Sequence, residues 1–455
     1  MNPPCILTIA GSDSGGGAGI QADLKTIMMQ GCYGMSVITA LTAQNTRTVS
    51  AISAPEPGFV AAQLAAVMED FPIKAGKTGM LFSSGIIEAL AEGLAGKDFP
   101  LVVDPVCVSQ SGARLLQDEA VDALKTRMLP LADLVTPNRP EAEYLTGVSI
   151  TDEQSVEKAV QAFFSFGAKA ALIKGGHFDA SPDGEVTDWL AEPGQPLRAL
   201  SMPRVDTANT HGTGCTLSAA IAAHLGLGLP LVEAVRAGQA YLNRCLRAGY
   251  ALGHGDGPPN HLAPYLALRE REKVLRELER AGDVLLGMKG LSALVPEVRM
   301  NFALAAPYAQ SIEDVAAFAG RITCTRRGRL IIAGPPEFAA SSHMAKVVLA
   351  AASVNPAVTC AVDVRYNDRT LAAIGKAGLR NAWFDRADEP KDVKEREGSS
   401  LEWGTRHALT HVDDPGTVDA VSDPGEKGKE PVIRILGTDA EDVLGKLERI
   451  LRAMA

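Results

Sequence analysis

The first 265 residues alternate short apolar runs with segments of helical spacing, and this alternation limits the possible folds more than any other feature. The apolar runs end in Gly, Asp or Asn, as strands do where a loop begins. Such alternation predicts a mostly parallel sheet with helices on both faces. Ligands of sheets of this kind bind at the carboxyl ends of the strands. The predicted strands are CILTIA (5–10), GMSVITALTA (34–43), IKAGKTG (73–79), PLVVDPV (100–106), ADLVTPN (132–138) and AALIKGG (170–176).

The chain has 455 residues, more than one ordinary hydrophobic core supports, so more than one domain is expected. A Gly/Pro-rich stretch, HGDGPPNHLAP (254–264), closes the alternating segment, which predicts a first domain over residues 1–265. Residues 287–455 alternate again and predict a second, smaller α/β domain. Within it, residues 413–430 are rich in Pro, Gly and Asp and predict a mobile loop.

Between these two domains, the sequence favours a helical connector over residues 266–286. Its charged residues alternate with apolar ones at helical spacing, which is typical of an amphipathic helix. Leu268, Leu275 and Leu278 are the residues expected on its apolar face.

Composition argues against several classes of protein. No apolar run approaches the ~18 residues of a membrane span, and the first residues lack the basic, then apolar pattern of a secretion signal. Seven scattered cysteines without a C-x-x-C pair argue against disulfides and zinc and favour the cytoplasm. Residues 1–286 carry 22 Lys and Arg against 31 Asp and Glu, and residues 287–455 carry 22 against 23. We therefore expect neither a nucleic acid nor a membrane as a partner.

Two glycine-rich turns are candidates for ligand binding. The first, GSDSGGGAG (11–19), is neither a Walker A loop nor a dinucleotide fingerprint, so it is either a flexible turn or a close approach of backbone to a small substrate, with Asp13 and Asp23 nearby. The second, Gly212-Thr213-Gly214-Cys215, opens an Ala-rich helix whose N-terminus would hold an anion. The helix dipole would lower the pKa of the Cys215 thiol and make it a general base. Alternatively, Cys215 is a small buried residue at a helix start.

The chain resembles a known kinase family over residues 5–265. The segments IAGSDSGGGAGIQADLKT, TALTAQNT, GKTGML, VVDPVCVSQSG, TPNRPEAE, IKGGH and THGTGCTLSAAIAA are similar, in this order, to those of hydroxymethylpyrimidine/phosphomethylpyrimidine kinase of the ribokinase-like superfamily. The resemblance implies two ATP-dependent phosphorylations with Mg²⁺, of 4-amino-5-hydroxymethyl-2-methylpyrimidine and then of its monophosphate. Most of the superfamily has Asp as the base where these kinases have Cys, so Cys215 indicates the subfamily.

The resemblance also implies a role for individual residues. Gln44 would pair with the edge of the aminopyrimidine, which suits an amide because it both donates and accepts. Two carboxylates would position Mg²⁺ through water, and a lysine would contact the nucleotide phosphates. Each of these residue types is otherwise an ordinary polar residue at a strand end. The substrate residues are Gln44, Asp23, Met80 and Gly11; the nucleotide and anion residues are Lys174, Asn138, Gly212, Thr213 and Gly214; the metal residues are Asp104 and Glu141; and the catalytic base is Cys215.

Residues 287–455 resemble a second family. VRMNFALAAPYAQSIEDVAAFAGRI, GPPEFAASSHMAKVVLAAASVNP, FDRADEPKDVKEREGSSLEWG and GKEPVIRILG are similar to the archaeal-type thiamine-phosphate synthase domain. The resemblance implies condensation of the pyrimidine diphosphate with thiazole phosphate and release of pyrophosphate. Arg321 and His343 would be catalytic, because departure of the diphosphate requires its charge to be dispersed. Alternatively, His343 is a solvated first-turn residue and Arg321 a surface arginine.

The sequence leaves other interpretations of both domains open. Similar domains also occur on DNA-binding regulators, so the second domain would alternatively be a ligand sensor without catalysis. The first domain would alternatively phosphorylate pyridoxal or a sugar, although Gln44 and Cys215 argue against a sugar. Weaker candidates for phosphate contacts are Ser399, Ser400, Lys427 and Lys429. The kinase resemblance also favours a homodimer.

Overall fold

The computed structural model describes residues 2–107, 115–117, 119–177, 184–390, 393–394, 399–426 and 430–455. The chain divides into two compact units, Met1–Pro264 and Tyr265–Ala455. Among the residues described, no helix is both long and apolar enough to cross a membrane. The candidate phosphate residues Lys427 and Lys429 lie outside the described residues.

A nine-stranded sheet forms the centre of the described part of the first unit. Its strands are β1 (Cys5–Asp13), β2 (Tyr33–Gln44), β3 (Val49–Ser53), β4 (Ile73–Thr78), β5 (Leu101–Val103), β6 (Leu134–Val135), β7 (Ala171–Ile173), β8 (Glu185–Ala191) and β9 (Arg198–Pro203). They lie in the order β3-β2-β1-β4-β5-β6-β7-β8-β9. From β2 to β7 all neighbours are parallel, whereas β3, β8 and β9 are antiparallel to their neighbours. The predicted, mostly parallel sheet is therefore confirmed.

Helices cover both faces of this sheet, which is why its strands read as nearly continuous apolar runs. The helices are α1 (Gly19–Met29), α2 (Pro57–Asp70), α3 (Ser84–Leu94), α4 (Ala120–Ala123), α5 (Arg139–Thr146), α6 (Glu153–Ser165), α7 (Thr213–Gly226) and α8 (Leu231–Arg247). In β1, Leu7 and Ile9 pack into the core beneath α2 and α3. Ile6, which precedes Leu7, points to the other face, where α1, α7 and α8 pack. The alternation along one strand thus fills two cores.

The second unit is also α/β, as predicted, but its sheet is mostly antiparallel. Its strands are β10 (Phe302–Ala305), β11 (Val315–Phe318), β12 (Ile322–Cys324), β13 (Leu330–Ile332), β14 (Pro336–Phe338), β15 (Cys360–Arg365), β16 (Asn381–Trp383), β17 (Ala420–Asp423) and β18 (Val432–Gly437). Seven of them form a sheet in the order β14-β11-β10-β15-β18-β17-β16, and β12 pairs with β13. Its helices are α9 (Ala263–Gly287), α10 (Ser342–Val354), α11 (Asp368–Lys376), α12 (Ser399–Thr410) and α13 (Ala440–Met454).

Helix α9 contains the segment that the sequence indicates as a connector. Its apolar face is formed by Val274, Leu278, Ala281 and Leu285, which are buried in the core of the second unit. These residues are spaced three, four and seven apart, as one face of a helix requires. Leu268, which was expected on the apolar face, is 66% exposed because it lies before this buried stretch. That part of the prediction is wrong.

The segment 413–430 is not simply a loop. It contains β17, whose Ala420 and Val421 are fully buried and pair with β18. The Pro, Gly and Asp residues on either side concealed this strand, because only four residues between them form it. The prediction of a mobile loop over the whole segment is therefore wrong.

Candidate active site

A cavity of about 660 Å³ opens at the carboxyl ends of the parallel strands in the first unit. The ends of β1, β4, β5, β6 and β7 lie at the same edge of the sheet, and the residues that follow each strand meet there. The expected site residues that line the cavity are Gly11, Gln44, Met80, Asp104, Asn138, Glu141, Lys174, Gly212, Thr213, Gly214 and Cys215. The fold thus brings together residues that are up to about two hundred positions apart in the sequence.

The glycine turn before α7 presents backbone, and not side chains, to this cavity. Gly212 has a φ of 89°, and a Cβ there would lie 1.9 Å from the carbonyl oxygen of Gly17. A Cβ at Gly214 would lie 3.3 Å from Nζ of Lys174 and 3.6 Å from Oδ2 of Asp104. Helix α7 has no side-chain cap at its start. The positive end of the helix dipole is therefore directed at an open, cation-lined space that suits an anion.

Cys215 lies in the first turn of α7, and its thiol is less acidic than the sequence predicts. Burial raises the pKa of this thiol to about 11, although the positive charge of Lys77 and the N–H of Gly19, which donates to Sγ, lower it. The carboxylates of Asp23 and Asp104 raise it further. The expectation of a lowered pKa is therefore wrong, because desolvation outweighs the helix dipole.

Asp23 lies behind the cavity and holds a lysine that the sequence analysis missed. Nζ of Lys77 donates to both carboxylate oxygens of Asp23 at 2.9 Å, and both side chains are fully buried. The hydroxyl of Thr8 donates to Asp23 at 2.6 Å. Burial alone would lower the pKa of Lys77, but the Asp23 carboxylate raises it above its usual value. Lys77 therefore stays charged, and it is Lys77 that lines the cavity.

Lys174 and Asp104 form a second ion pair in the cavity. Nζ of Lys174 donates to Oδ1 of Asp104 at 2.8 Å, and both side chains are largely buried. Burial raises the pKa of Asp104, but Lys174 and Lys77 outweigh this effect and lower it overall. The hydroxyl of Thr136 also donates to Asp104. Asp104 is therefore ionised, and it lies in the wall of the cavity beside Lys174.

Glu141 and Asn138 form the capping box at the start of α5. The N–H of Asn138 donates to Glu141, and the N–H of Glu141 donates to Asn138, each at 2.8 Å. Burial raises the pKa of Glu141 to about 7; Lys174 opposes this shift, and Asp104 adds to it. No cluster of three or more His, Cys, Asp or Glu that could ligate a metal occurs in the described part of the chain. Two carboxylates such as those of Asp104 and Glu141 fit a Mg²⁺ ion that keeps several of its waters.

Asp13 organises the other glycine turn. Its carboxylate accepts the N–H groups of Gly15 at 2.7 Å and Ala18 at 2.8 Å. Nε2 of His211 lies 2.9 Å from Oδ2 of Asp13 and 3.3 Å from Nε2 of Gln44. Burial raises the pKa of Asp13, but the contact with His211 and these backbone bonds lower it overall. His211 therefore connects the two glycine turns and lies beside Gln44.

The sequence does contain weak signals for the two residues that the analysis missed. Lys77 is a charged residue within a strand whose other inward positions are apolar, and a buried charge of this kind usually has a partner and a role. His211 directly precedes Gly212, so it enters the cavity with the turn. In both cases the partner, Asp23 or Asp13, is distant in sequence, and only the fold brings the pair together.

In the second unit, Arg321 and His343 lie on segments that leave β11 and its neighbour β14 in different directions. Arg321 follows the Phe318 end of β11, and its Nη1 donates to the carbonyl of Val298 at 2.6 Å. Its φ of 69° is unusual for a residue other than glycine. His343 is exposed in the first turn of α10, after Ala339, whose N–H bonds to Val315 at the opposite end of β11. The antiparallel pairing of β11 with β14 therefore places the segment that carries Arg321 and the segment that carries His343 at opposite ends of β11.

Two family sequence models match this chain, each over a different part of it. Residues 13–260 match the sequence model of the family described as Phosphomethylpyrimidine kinase. The chain belongs to the phosphomethylpyrimidine kinase family. Residues 277–449 match a second family, Thiamine-phosphate synthase ThiN. The chain is therefore an enzyme in which a kinase domain with the ribokinase-like α/β fold precedes a thiamine-phosphate synthase domain.

Curated relatives agree with the kinase assignment. The Thiamine biosynthesis bifunctional protein ThiED of Geobacter sulfurreducens is 50% identical over 267 residues, which is 58% of this chain and 54% of that protein. The Hydroxymethylpyrimidine/phosphomethylpyrimidine kinase of Streptomyces coelicolor is 48% identical over 261 residues, which is 57% of this chain and 95% of that protein. The chain thus spans about half the length of the first relative and nearly all of the second.

Solved structures similar to this kinase include pyridoxal kinases. An ADP complex of Bacillus subtilis pyridoxal kinase has a TM-score of 0.53 and 33% identity, and the match covers 58% of this chain and 100% of that one. Pyridoxal kinase from Staphylococcus aureus in complex with AMP-PCP and pyridoxal has a TM-score of 0.53 and 32% identity, covering 58% and 95%. A kinase of this family uses ATP, and these two similar proteins were crystallised with ADP and with AMP-PCP, respectively.

Proposed function

We propose that the first unit transfers a phosphoryl group from ATP to the hydroxymethyl group of 4-amino-5-hydroxymethyl-2-methylpyrimidine and then to the resulting monophosphate. The observation that carries this proposal is the single cavity that holds Gln44, Cys215 and Lys174 together. An amide beside an apolar wall that includes Met80 suits the edge of an aminopyrimidine. The thiol, the glycine turn and the lysine suit the transfer itself.

In this proposal each group has one task. The glycine turn at the start of α7 stabilises negative charge on the transferred phosphoryl group. Lys174 neutralises the phosphates of the nucleotide as a point charge. Cys215 receives the proton of the alcohol, and Lys77 favours its thiolate form. Phosphoryl transfer depends mainly on positioning and charge, so a base that ionises only in the complex suffices.

Mg²⁺ belongs to the same proposal. When bound, it would neutralise charge on the nucleotide phosphates. Asp104 and Glu141 would hold its waters, because two carboxylates with waters and phosphates are the usual surroundings of this ion. Glu141 has a pKa of about 7, so a nearby cation would favour its ionised form.

For the second unit we propose the condensation that forms thiamine phosphate. The bond from the methylene carbon of the pyrimidine to the diphosphate breaks, and the thiazole nitrogen forms a new bond to that carbon. The electron pair leaves with the diphosphate, so groups that disperse its charge accelerate the step. Arg321 and His343 are proposed for this role. The left-handed backbone of Arg321 supports it, because such strained residues cluster at functional sites.

The first experiment bypasses the kinase. The intact protein is given synthetic pyrimidine diphosphate, thiazole phosphate and Mg²⁺ without ATP, and thiamine phosphate and pyrophosphate are measured. Their appearance in equal amounts supports the synthase. If neither forms while kinase turnover is normal, the second unit is a sensor or inactive, and the roles of Arg321 and His343 are refuted. His343→Ala should abolish this reaction and leave the kinase unchanged, because His343 and the kinase residues lie in different units.

A second candidate acceptor for the kinase is pyridoxal, because the similar solved structures include pyridoxal kinases. Both acceptors are small aromatic rings with a hydroxymethyl group, so the fold alone does not separate them. The kcat/KM for each alcohol should be measured at saturating ATP. A preference for the pyrimidine supports the proposal, and a preference for pyridoxal refutes it.

We also propose a homodimer in the cytoplasm that takes small molecules and no nucleic acid. Met28, Tyr33, Leu41 and Phe59 are at least half exposed in the first unit, which suits an interface. All seven cysteines are free, as in a reducing compartment. Sedimentation velocity tests the dimer, and Leu41→Glu should shift a dimer towards monomer.

A further inference from the structure

The second unit contains a buried cluster of four charged residues that the roles above do not use. It consists of Arg386, Glu389, Asp423 and Arg434, hereafter the charged cluster, and each member is at most 5% exposed. Arg434 lies in the middle of β18, and Asp423 is the last residue of β17. Arg386 begins a short 3-10 turn, Arg386–Asp388, that follows β16. Charged residues are almost never buried to this extent without a partner for every group.

Only part of the charged cluster is satisfied. Nε and Nη2 of Arg386 donate to the two oxygens of Asp423 at 2.9 and 2.5 Å, which is a bidentate pair. Nη2 of Arg434 is 3.5 Å from the same carboxylate, and Nη1 of Arg386 is 4.0 Å from Glu389. One carboxylate is thus shared by two guanidinium groups, and the contact with Glu389 is too long for a hydrogen bond.

Five buried polar atoms in the charged cluster have no hydrogen-bond partner among the residues that the structure describes. They are Nη1 of Arg386, Nε and Nη1 of Arg434, and both carboxylate oxygens of Glu389. Native proteins leave few such atoms, and each one needs an explanation. Here the donors would suit the oxygens of an anion, and the two acceptors would suit the waters of a cation. A ligand that carries both would satisfy the whole set.

The charged cluster continues towards Arg321 through one residue. Asp363 is opposite Arg434 in the β15–β18 ladder, so the two side chains lie on the same face of the sheet. Burial raises the pKa of Asp363 to about 6, while Arg434 and Arg321 lower it and Glu430 raises it, so Arg321 acts electrostatically at this position. Asp363 and Arg321 are only partly buried. Asp363 therefore lies between the buried Arg434 and the charge of Arg321, which is nearer the surface.

We propose that the charged cluster binds the diphosphate group of a substrate together with its hydrated divalent cation. Arg434 and Arg386 donate to the phosphoryl oxygens, and Glu389 accepts from the waters of the cation, which commonly binds through one carboxylate and the phosphates of a substrate. Arg321 adds positive charge near Asp363, beside Arg434. The proposal rests on the proposed synthase function for the identity of the substrate, but the binding of a magnesium diphosphate stands on the five unpartnered atoms.

Direct binding of inorganic diphosphate tests the proposal. The full-length protein, with the cavity of the first unit saturated by AMP-PCP, is titrated calorimetrically with diphosphate with and without Mg²⁺, and with inorganic phosphate. We expect Arg434→Gln to weaken binding of magnesium diphosphate by at least about tenfold and Arg434→Lys to weaken it less. Glu389→Gln should reduce the gain that Mg²⁺ provides. Arg452→Gln is the control, because this substitution removes the same charge from the same unit at a side chain that is 79% exposed.

The same variants are also tested for folding, so that a loss of binding can be distinguished from a loss of structure. Near-ultraviolet circular dichroism and hydrogen exchange over residues 265–455 establish that each variant is folded, and Arg434→Lys replaces any Arg434→Gln protein that is not. If folded Arg434 variants bind magnesium diphosphate like the control, the unpartnered atoms are bridged by water only and the proposal is wrong.

Synthase kinetics then identify the substrate. Arg434→Gln should raise the KM for the pyrimidine diphosphate and leave the KM for thiazole phosphate unchanged; the reverse result would overturn the proposal. If the unmodified protein binds magnesium diphosphate but forms no thiamine phosphate, the synthase function fails and the binding site stands. If it forms thiamine phosphate and the folded Arg434 variants do so with unchanged KM values, the site fails and the synthase function stands.

Discussion

The ion pair of Lys77 and Asp23 offers a quantitative test of the structure. Both side chains are fully buried, and Nζ of Lys77 is 2.9 Å from each carboxylate oxygen of Asp23. Asp23→Asn removes the negative charge with little change in shape and leaves Lys77 buried without its counter-charge. Breaking a buried pair in this way lowers the free energy of unfolding by about 3–5 kcal/mol.

The loss has an upper limit that depends on pH. Instead of staying charged, Lys77 in the Asp23→Asn variant can release its proton on folding. With an ordinary lysine pKa of about 10.4, this release at pH 7 costs about 1.4 kcal/mol for each of about 3.4 pH units, or about 5 kcal/mol. The unfolded state then binds one more proton than the folded state, so stability rises with pH. The deficit should shrink by up to about 1.4 kcal/mol per pH unit between pH 7 and 9.

The chain has two units, so its unfolding is not expected to be two-state, and the assay has to report on the first unit alone. Hydrogen exchange of peptides from residues 1–264 in increasing urea provides this. Lys77→Met combined with Asp23→Asn should recover at least half of the loss, with a coupling of about 2–3 kcal/mol. A deficit that is independent of pH, or a double variant no more stable than Asp23→Asn, would refute the argument that an uncompensated charge causes the loss.

Two further outcomes follow from the turn before α7. Gly212→Ala should reduce kinase kcat by about a hundredfold or more, because the new Cβ would lie 1.9 Å from the carbonyl oxygen of Gly17. Gly228→Ala is the control for backbone strain alone, because Gly228 has a φ of 90° and open space around it. This control should retain activity. Alkylation of Cys215 by iodoacetamide, followed by peptide mass spectrometry without ligands, should rise about tenfold per pH unit from pH 7 to 9, because its pKa is about 11. A plateau below pH 9 would contradict burial of the thiol.

The sequence allowed the parallel part of the first sheet to be predicted because buried strands have a clear apolar signature. All six predicted strands occur, from β1 to β7. Strands β8 and β9 were missed because they are antiparallel and partly exposed, so their residues alternate between polar and apolar. In the second unit, β17 was missed because four residues between Pro- and Gly-rich stretches give too short a pattern.

Site residues were accessible to sequence analysis to the extent that a local motif contains them. Cys215, Gly212 and Gly214 lie in one turn, and Gln44, Asp104 and Lys174 each lie at the end of a strand or directly after it. Lys77 was not found, because its partner Asp23 lies 54 residues away on α1 and only the packing of α1 on the sheet joins them. The same reason explains why Asp23 was expected on the cavity wall and instead lies behind Lys77.

The acidity of Cys215 depends on desolvation, which cannot be read from the sequence alone. Its position at a helix N-terminus is readable from Gly212-Thr213-Gly214, and the dipole there stabilises a negative charge by at most about 2 kcal/mol, or about 1.5 pKa units. Complete burial raises the pKa of an acid by up to about 3–5 units. Because the second effect is the larger, burial raises the pKa of the Cys215 thiol to about 11 and favours its protonated form.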